Sequence, residues 1–329
     1  MKIYKIKEIC HLEKGKQIDT TLLNDNNPYK YINGGIKQTG YYTSYNTEGE
    51  AVLVSEGGAS CGYVNYINEK FWCGCHCYKL TECKCLTKYL YYALKGNQDK
   101  LMALRTGTAM PNIKKSTFQA MELNLNENIF EQETVINTLD KVQLVIDAKK
   151  AELNDLDVLV KSRFIEMFGD PILNEKNWNT EIWENVLIIV NGRNQKGVED
   201  DDGHYLICGS GGVIGKASQY LVNANSVIVG RKGNINKPIL MREKYWNVDT
   251  AFGLEPNIEK INADYLYMFC KFFDFETLNK AVTIPSLTKS DLLKIEMPIP
   301  PIELQNQFAD FVKQVDKSKF SCYTSDSYN

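Results

Sequence analysis

Four groups of residues in this 329-residue chain are of types that could do chemistry. The first is Cys208-Gly209-Ser210-Gly211-Gly212-Val213-Ile214-Gly215-Lys216, with the glycines and closing lysine of a phosphate-cradling loop. A P-loop requires G-x-x-x-x-G-K-[ST]. Here Ser210 stands at the first glycine, and Ala217 stands where a hydroxyl would hold magnesium. The second is Cys73-Gly74-Cys75-His76-Cys77 with Cys83 and Cys85. Thiolate and imidazole are zinc ligands, but C-x-C-x-C puts alternate residues on one face of a strand, not around a turn. Buried or half-exposed reduced thiols are expected, with no metal. The third is Asn26-Asn27-Pro28-Tyr29, close to an amino-methyltransferase tetrapeptide but without its second proline or a glycine motif upstream. The fourth is Glu82-Cys83-Lys84, the E-x-K half of a nuclease site with no Pro-Asp before it. No G-x-S-x-G serine is expected to serve His11, His76 or His204. None of these makes a complete catalytic set.

What remains is polar and basic residues beside glycines, at matching places in two halves of the chain. Ser55-Glu56-Gly57-Gly58 answers Gly230-Arg231-Lys232-Gly233, and Lys114-Lys115-Ser116 answers Thr288-Lys289-Ser290. In such loops backbone N–H groups and Lys meet phosphates, and Arg meets base edges. For any single residue a solvated turn is the favoured reading; duplication of the whole pattern raises the binding one. The candidate DNA-contacting residues are Lys37, Arg105, Lys114, Lys115, Arg193, Lys196, Ser210, Lys216, Arg231, Lys232 and Lys289.

The elements that must position these residues repeat as well. Ala109-Met110-Pro111-Asn112-Ile113-Lys114-Lys115-Ser116 parallels Thr283-Ile284-Pro285-Ser286-Leu287-Thr288-Lys289-Ser290, and Phe71-Trp72 parallels Tyr245-Trp246. Ile129-Phe130-Glu131-Gln132 parallels Ile302-Glu303-Leu304-Gln305. These pairs lie about 174 residues apart, too far for a solenoid and right for two copies of one domain. Strands are expected at Val52–Ser55, Tyr63–Ile67 and Phe71–Leu80, a helix at Leu86–Leu104, and a last strand at Met121–Leu125. The second copy is expected to place strands at Val186–Val190, His204–Ile207, Ser226–Val229, Pro238–Met241 and Ile295–Ile299, with a helix at Ala263–Lys280.

Between the copies runs one long helix. Alternating four- and three-residue steps from Val135 meet Val135, Leu139, Val142, Ile146, Leu153, Leu156, Val160 and Met167, interrupted only by Lys149 and Arg163, a coiled-coil seam. Asn128 is the expected N-cap, Glu131 the partner in a capping box, and Gly169 and Pro171 the stop. A second helix starting at Ile302 repeats the seam with Phe308, Val312 and Val315, then loses it in the polar stretch Ser321–Asn329. That loss is expected to leave the tail frayed and the first seam uncovered from about Ile146 to Met167.

The net charge of −3 does not by itself suggest a polyanion partner. Its distribution does not exclude one: residues 1–128 carry 16 Lys and Arg against 12 Asp and Glu, whereas residues 129–170 carry 5 against 9. No apolar run is long enough for a membrane span, and no signal peptide is apparent, so a cytoplasmic location is expected.

In their order and duplication, these two domains, each with A/T-M/I-P-x-I/L-x-K-S followed by I-x-x-Q at a seamed helix start, resemble the specificity subunit of a type I restriction-modification system. The resemblance covers residues 1–319. It implies an α+β fold of two repeated α/β target-recognition domains, each followed by a long coiled-coil helix, the second truncated. The implied boundaries are 1–127 and 171–301 for the domains, 128–170 for the spacer helix, and 302–329 for the truncated helix and tail. It also implies a non-catalytic chain that reads a bipartite site in double-stranded DNA. Two methyltransferase subunits would dock on the seamed helix, at Val135 through Met167, and restriction motor-nuclease subunits would join them. S-adenosylmethionine, ATP and magnesium would belong to those partners, with no cofactor in this chain. The alternatives are a protein-binding scaffold with no DNA role, or a zinc- or nucleotide-dependent enzyme. Salt-dependent DNA binding argues against the first; metal analysis and nucleotide binding decide the second.

Overall fold

The computed structural model describes residues 1–107, 109–279 and 284–324, with side chains to residue 320. The chain divides into two compact units, Met1–Asp147 and Ala148–Asn329, and the boundary falls inside the 40-residue helix Ile129–Phe168.

Each unit contains the same three sheets. In the first unit a four-stranded antiparallel sheet runs in the order His11–Lys14, Cys77–Thr81, Ala51–Ser55, Val64–Ile67. A three-stranded sheet runs Gly40–Tyr42, Tyr29–Ile32, Phe71–Cys73, the last pair parallel. The first strand, Lys2–Lys5, pairs with the last, Glu122–Leu125, so the domain closes on itself. The second unit repeats this with Leu187–Asn191, Ala251–Pro256, Ser226–Gly230 and Ile239–Met241 in the larger sheet. Gly212–Ala217, Tyr205–Gly209 and Tyr245–Asn247 form the smaller one, and Thr180–Ile182 pairs with Glu296–Pro298.

Three expected elements are divided. Phe71–Leu80 is two strands in different sheets, because the chain turns at Gly74, where an added Cβ would lie 2.3 Å from the Asn33 side-chain oxygen. Leu86–Leu104 is two helices, Thr87–Lys95 and Gln98–Ala103, broken at Gly96-Asn97, where the Asn97 side chain bonds back to the Ala93 carbonyl. Ala263–Lys280 is helical only to Phe272; Asp274 then caps a 3-10 turn, Phe275–Leu278, and Lys280 lies outside the described residues. Short side chains that bond their own backbone compete with helix in this way.

The long helices begin as expected and then differ in one respect. Asn128 accepts from the Phe130 and Glu131 amides, but the Glu131 carboxylate bonds Asn126 instead of closing a capping box. Gly169, at φ 76°, provides the stop. The second long helix, Ile302–Thr324, continues four residues into the stretch expected to fray, since propagation of a formed helix costs little. Ser325–Asn329 lie outside the described residues.

Both helices are joined to their domains by a buried glutamine. Gln132 accepts from the Leu86 amide at 2.9 Å and donates to the Asn126 carbonyl at 2.7 Å. Gln305 accepts from the Asn262 amide at 3.0 Å and donates to the Lys260 and Pro300 carbonyls at 3.0 and 2.8 Å. Leu86 and Asn262 are the cap residues of the domain helices Thr87–Lys95 and Ala263–Phe272, so one amide satisfies an orphan helix-terminal N–H in each unit. Farther along in the first unit, Asp140 meets the Lys88 ammonium and the Tyr92 hydroxyl, each at 2.6 Å.

In the second unit the two long helices pack together. The Phe308 ring lies 5.4 Å from Phe164 and 5.7 Å from Phe168, and Lys319 lies 2.6 Å from Asp157. Rising numbers on one helix meet falling numbers on the other, so the pairing is antiparallel. Val160, Phe164, Met167 and Phe168 are therefore buried with Phe308, Val312 and Val315. This reverses the expected exposure of the first seam from Leu153 to Met167, while Ile146 is exposed as expected. Leu153 and Leu156 are half-buried, and Val135, Leu139, Val142 and Ile146 are exposed.

Replacing Gln305 by Leu leaves one amide and two carbonyls unpaired and should cost about 1–3 kcal/mol. Gln305→Glu should also destabilise, because a carboxylate cannot donate to Lys260 and Pro300. Equilibrium urea unfolding reads both; unchanged midpoints would show that the amide holds nothing.

Candidate nucleic-acid interface

In the second unit, five loops meet at one end of the two sheets: 192–196, 209–212, 230–235, 248–250 and 284–287. Backbone hydrogen bonds tie them together. Arg231 N–H donates to the Thr250 carbonyl at 2.8 Å, Gly233 N–H to Pro285 at 3.1 Å, and Leu287 N–H to Arg231 at 2.9 Å. Val248 N–H reaches Cys208, and Arg193 N–H reaches Asn247, at 2.9 and 2.8 Å. An added Cβ on Gly230 would lie 2.3 Å from the Asn234 carbonyl oxygen, so this loop turns where only glycine fits.

The first unit builds the same cluster from the same bonds. Gly58 N–H donates to Pro111 at 2.9 Å, Ile113 N–H to Glu56 at 2.9 Å, Gly74 N–H to Ile32 at 2.8 Å and Lys16 N–H to Cys73 at 2.8 Å. The side chains on this common frame differ. Arg231 is exposed, its guanidinium 5.8 Å from the Phe252 ring. At the matching place Glu56 turns inward, bonded to the Tyr78 hydroxyl at 3.0 Å and to Lys14 at 2.7 Å. Burial, and then the Glu56 carboxylate, push the Tyr78 phenol well above its ordinary pKa, so it stays protonated.

The candidate residues divide accordingly. Arg193, Lys196, Arg231 and Lys232 are exposed on the second cluster, with Ser210 half-buried among them. Lys37, Lys114 and Lys115 are exposed on the first. Arg105 is half-buried, and its Nε donates to the Cys61 carbonyl at 2.7 Å, fixing the 56–62 loop. Lys216 is exposed on a strand whose backbone pairs with the acidic run Glu199–Asp202, an unfavourable neighbour for phosphate. Lys289 is half-buried, its ammonium bonded to the Ile189 carbonyl at 2.7 Å; it tethers its helix to a strand.

Other motifs resolve into structure. Gly209 to Lys216 is a β-hairpin that turns through Ser210-Gly211 into Gly212, φ 113°, and not a strand-to-helix phosphate loop. Every described cysteine is a free thiol, and among the described residues no three His, Cys, Asp or Glu side chains are placed to hold a metal. Cys75 sits in the turn between two strands, its thiol bonded to Gln17. Contrary to expectation, Gly58-Ala59-Ser60-Cys61-Gly62 does match G-x-S-x-G. It joins two strands of a hairpin, whereas a nucleophile elbow joins a strand to a helix. Lys16 occupies the place of Arg193 on the first cluster, and the shared pair Gly15-Lys16 and Gly192-Arg193 is its signal in the sequence.

With this geometry in view, comparison with known proteins is direct. Residues 1–158 and 165–322 match the family model of the type I restriction modification DNA specificity domain, and the chain belongs to that family. A protein of Mycoplasma genitalium named as a type I specificity subunit is 35% identical over 137 residues, 41% of this chain and 36% of that one. A Mycoplasma pneumoniae protein of the same description is 33% identical over 151 residues, 45% of this chain and 39% of its own length. These stretches span well under half of either relative. The crystal structure of a type I restriction-modification S subunit from M. genitalium superposes with a TM-score of 0.68 over 98% of this chain and 91% of that one, at 21% identity. The fold is thus that of specificity subunits, two domains each followed by a long helix. No helix among the described residues is long and apolar enough to cross a membrane.

Lys289→Ala should lower thermal stability, by about 1 kcal/mol for one lost hydrogen bond, and leave the salt dependence of DNA binding unchanged. Arg231→Ala with Lys232→Ala should do the reverse, reducing the salt slope by roughly one unit for a lost lysine–phosphate contact. Melting curves and binding titrations across salt would expose a wrong assignment if the two variants exchanged behaviours.

Proposed function

We propose that this chain is the DNA-reading, non-catalytic subunit of a type I restriction-modification complex in the cytoplasm. Each loop cluster reads one half of a split site in double-stranded DNA. Two methyltransferase subunits, bringing S-adenosylmethionine, methylate adenine there, and motor-nuclease subunits using ATP and magnesium join to cleave unmodified DNA. The observation that carries this reading is the duplicated loop frame with divergent side chains. One backbone presents inward Glu56 in the first domain and outward Arg231 in the second, as two readers of different sequences would require. The exposed seam residues Val135, Leu139, Val142 and Ile146 support docking of a partner on the first long helix; the buried Val160 and Met167 do not take part.

Co-expression with a partner methyltransferase, followed by mapping of methylated adenines, tests this. A two-part motif with a fixed gap is expected, and it should vanish when this chain is omitted. Methylation without a motif, or with the same motif in its absence, would contradict the assignment.

A further inference from the structure

We propose that Lys16 and Arg193 are equivalent DNA contacts, one in each domain, each aimed by a tryptophan that fixes its backbone. This rests on the DNA-reading function above. In both units the chain crosses the end of a short strand at a distance only glycine permits. A Cβ on Gly15 would lie 2.4 Å from the Cys73 carbonyl oxygen, and one on Gly192 would lie 1.8 Å from that of Val248. The next residue is basic. Its N–H donates to the last carbonyl of that strand, Cys73 for Lys16 and Asn247 for Arg193, at 2.8 Å in each case. Its carbonyl accepts from an indole N–H of the same strand, Trp72 at 2.8 Å and Trp246 at 3.1 Å.

Both backbone polar groups of Lys16 and Arg193 are thereby held, while both side chains are exposed. Neither cation has an ion-pair partner among the described residues, although Lys14, Lys30 and Lys79 nearby in the first unit each have one. A clamp that served only to hold the loop would use a peptide N–H and C=O that any non-proline residue supplies. A positive charge repeated at that position is surplus to the clamp. What it provides is a cation on a fixed backbone, the preorganisation that a contact site needs. Arg193 bonds the carbonyl of Asn247, the residue before Val248, and Gly209 of the hairpin loop abuts Val248 and Thr250. The planar fork of Arg193 suits the O6 and N7 acceptors of guanine, whereas the Lys16 ammonium suits phosphate as a point charge.

The test uses the full chain and a library of duplexes with a randomised core, selected by binding and sequenced. Wild type should select a split motif. Arg193→Ala should change base preference in one half only, with about tenfold lower affinity for the original half-site. Arg193→Lys should keep the salt slope and relax that same preference, which separates base reading from folding. Trp246→Phe, which deletes the indole hydrogen bond and keeps the ring packing, should alter the same half and no other. Lys16→Ala should leave both base preferences in place and reduce the salt slope by roughly one unit. If wild type selects a motif while Arg193→Ala or Lys16→Ala behaves like wild type, the paired contact is wrong and DNA reading stands. If wild type selects nothing, the DNA-reading function itself fails.

Discussion

A buried primary amide joins each long helix to the domain before it, and much else depends on that junction. Gln132 and Gln305 each accept from the cap residue of a domain helix and donate to a carbonyl just before the long helix begins. An amide is suited to this because it offers donor and acceptor without charge, and both partners are backbone groups that burial would otherwise leave unpaired. The hydrogen bonds fix where the helix leaves the domain and how it is rotated. Everything downstream inherits that rotation: in the first unit it brings Asp140 to Lys88 and Tyr92, and in the second it turns Phe308 toward Phe164 and Phe168.

The loop clusters separate two tasks that proteins often mix. Backbone hydrogen bonds, glycines and the two indole clamps set the shape, and they recur bond for bond between the domains. Side chains on top set the chemistry, and apart from the basic pair Lys16 and Arg193 those that face outward differ between the domains. Glu56 is held by Tyr78 and Lys14, whereas Arg231 lies free over Phe252. A frame of this kind lets one domain design serve two sequences, since base contacts come from a few side chains and the rest only places them.

The duplication was legible because the constraints that shape it select residue types. Pro111 and Pro285, Trp72 and Trp246, and the two I-x-x-Q starts mark turns, clamps and junctions, and each survives in the one-letter code. The short strands Tyr29–Ile32 and Gly40–Tyr42 were not legible, since three or four residues carry no measurable period. Nor was the covering of the first seam. A heptad pattern says that a partner exists but not which half of the helix it covers, and the antiparallel contact of Lys319 with Asp157 decides that. Among the candidate site residues, Lys115 and Lys289 occupy the same place in the repeat, yet one is exposed and the other is bonded to a strand carbonyl. Charge and spacing are identical in the two; only the packing distinguishes them.

If each domain reads half a site, as proposed, the helix joining them is the element expected to set the gap. The stretch around Lys149-Lys150 is suited to testing it, because the contacts of the first domain end near Asp140 and those of the second long helix begin near Asp157. Four residues inserted there lengthen the helix by about 6 Å and add about 40° beyond a full turn. B-DNA rises about 3.4 Å per base pair and turns roughly 34–36° with each. Methylated-adenine mapping of the assembled complex should then show the gap longer by one or two base pairs, one being the better match in angle, with both half-site sequences unchanged. An unchanged gap, or altered bases in either half, would contradict the account.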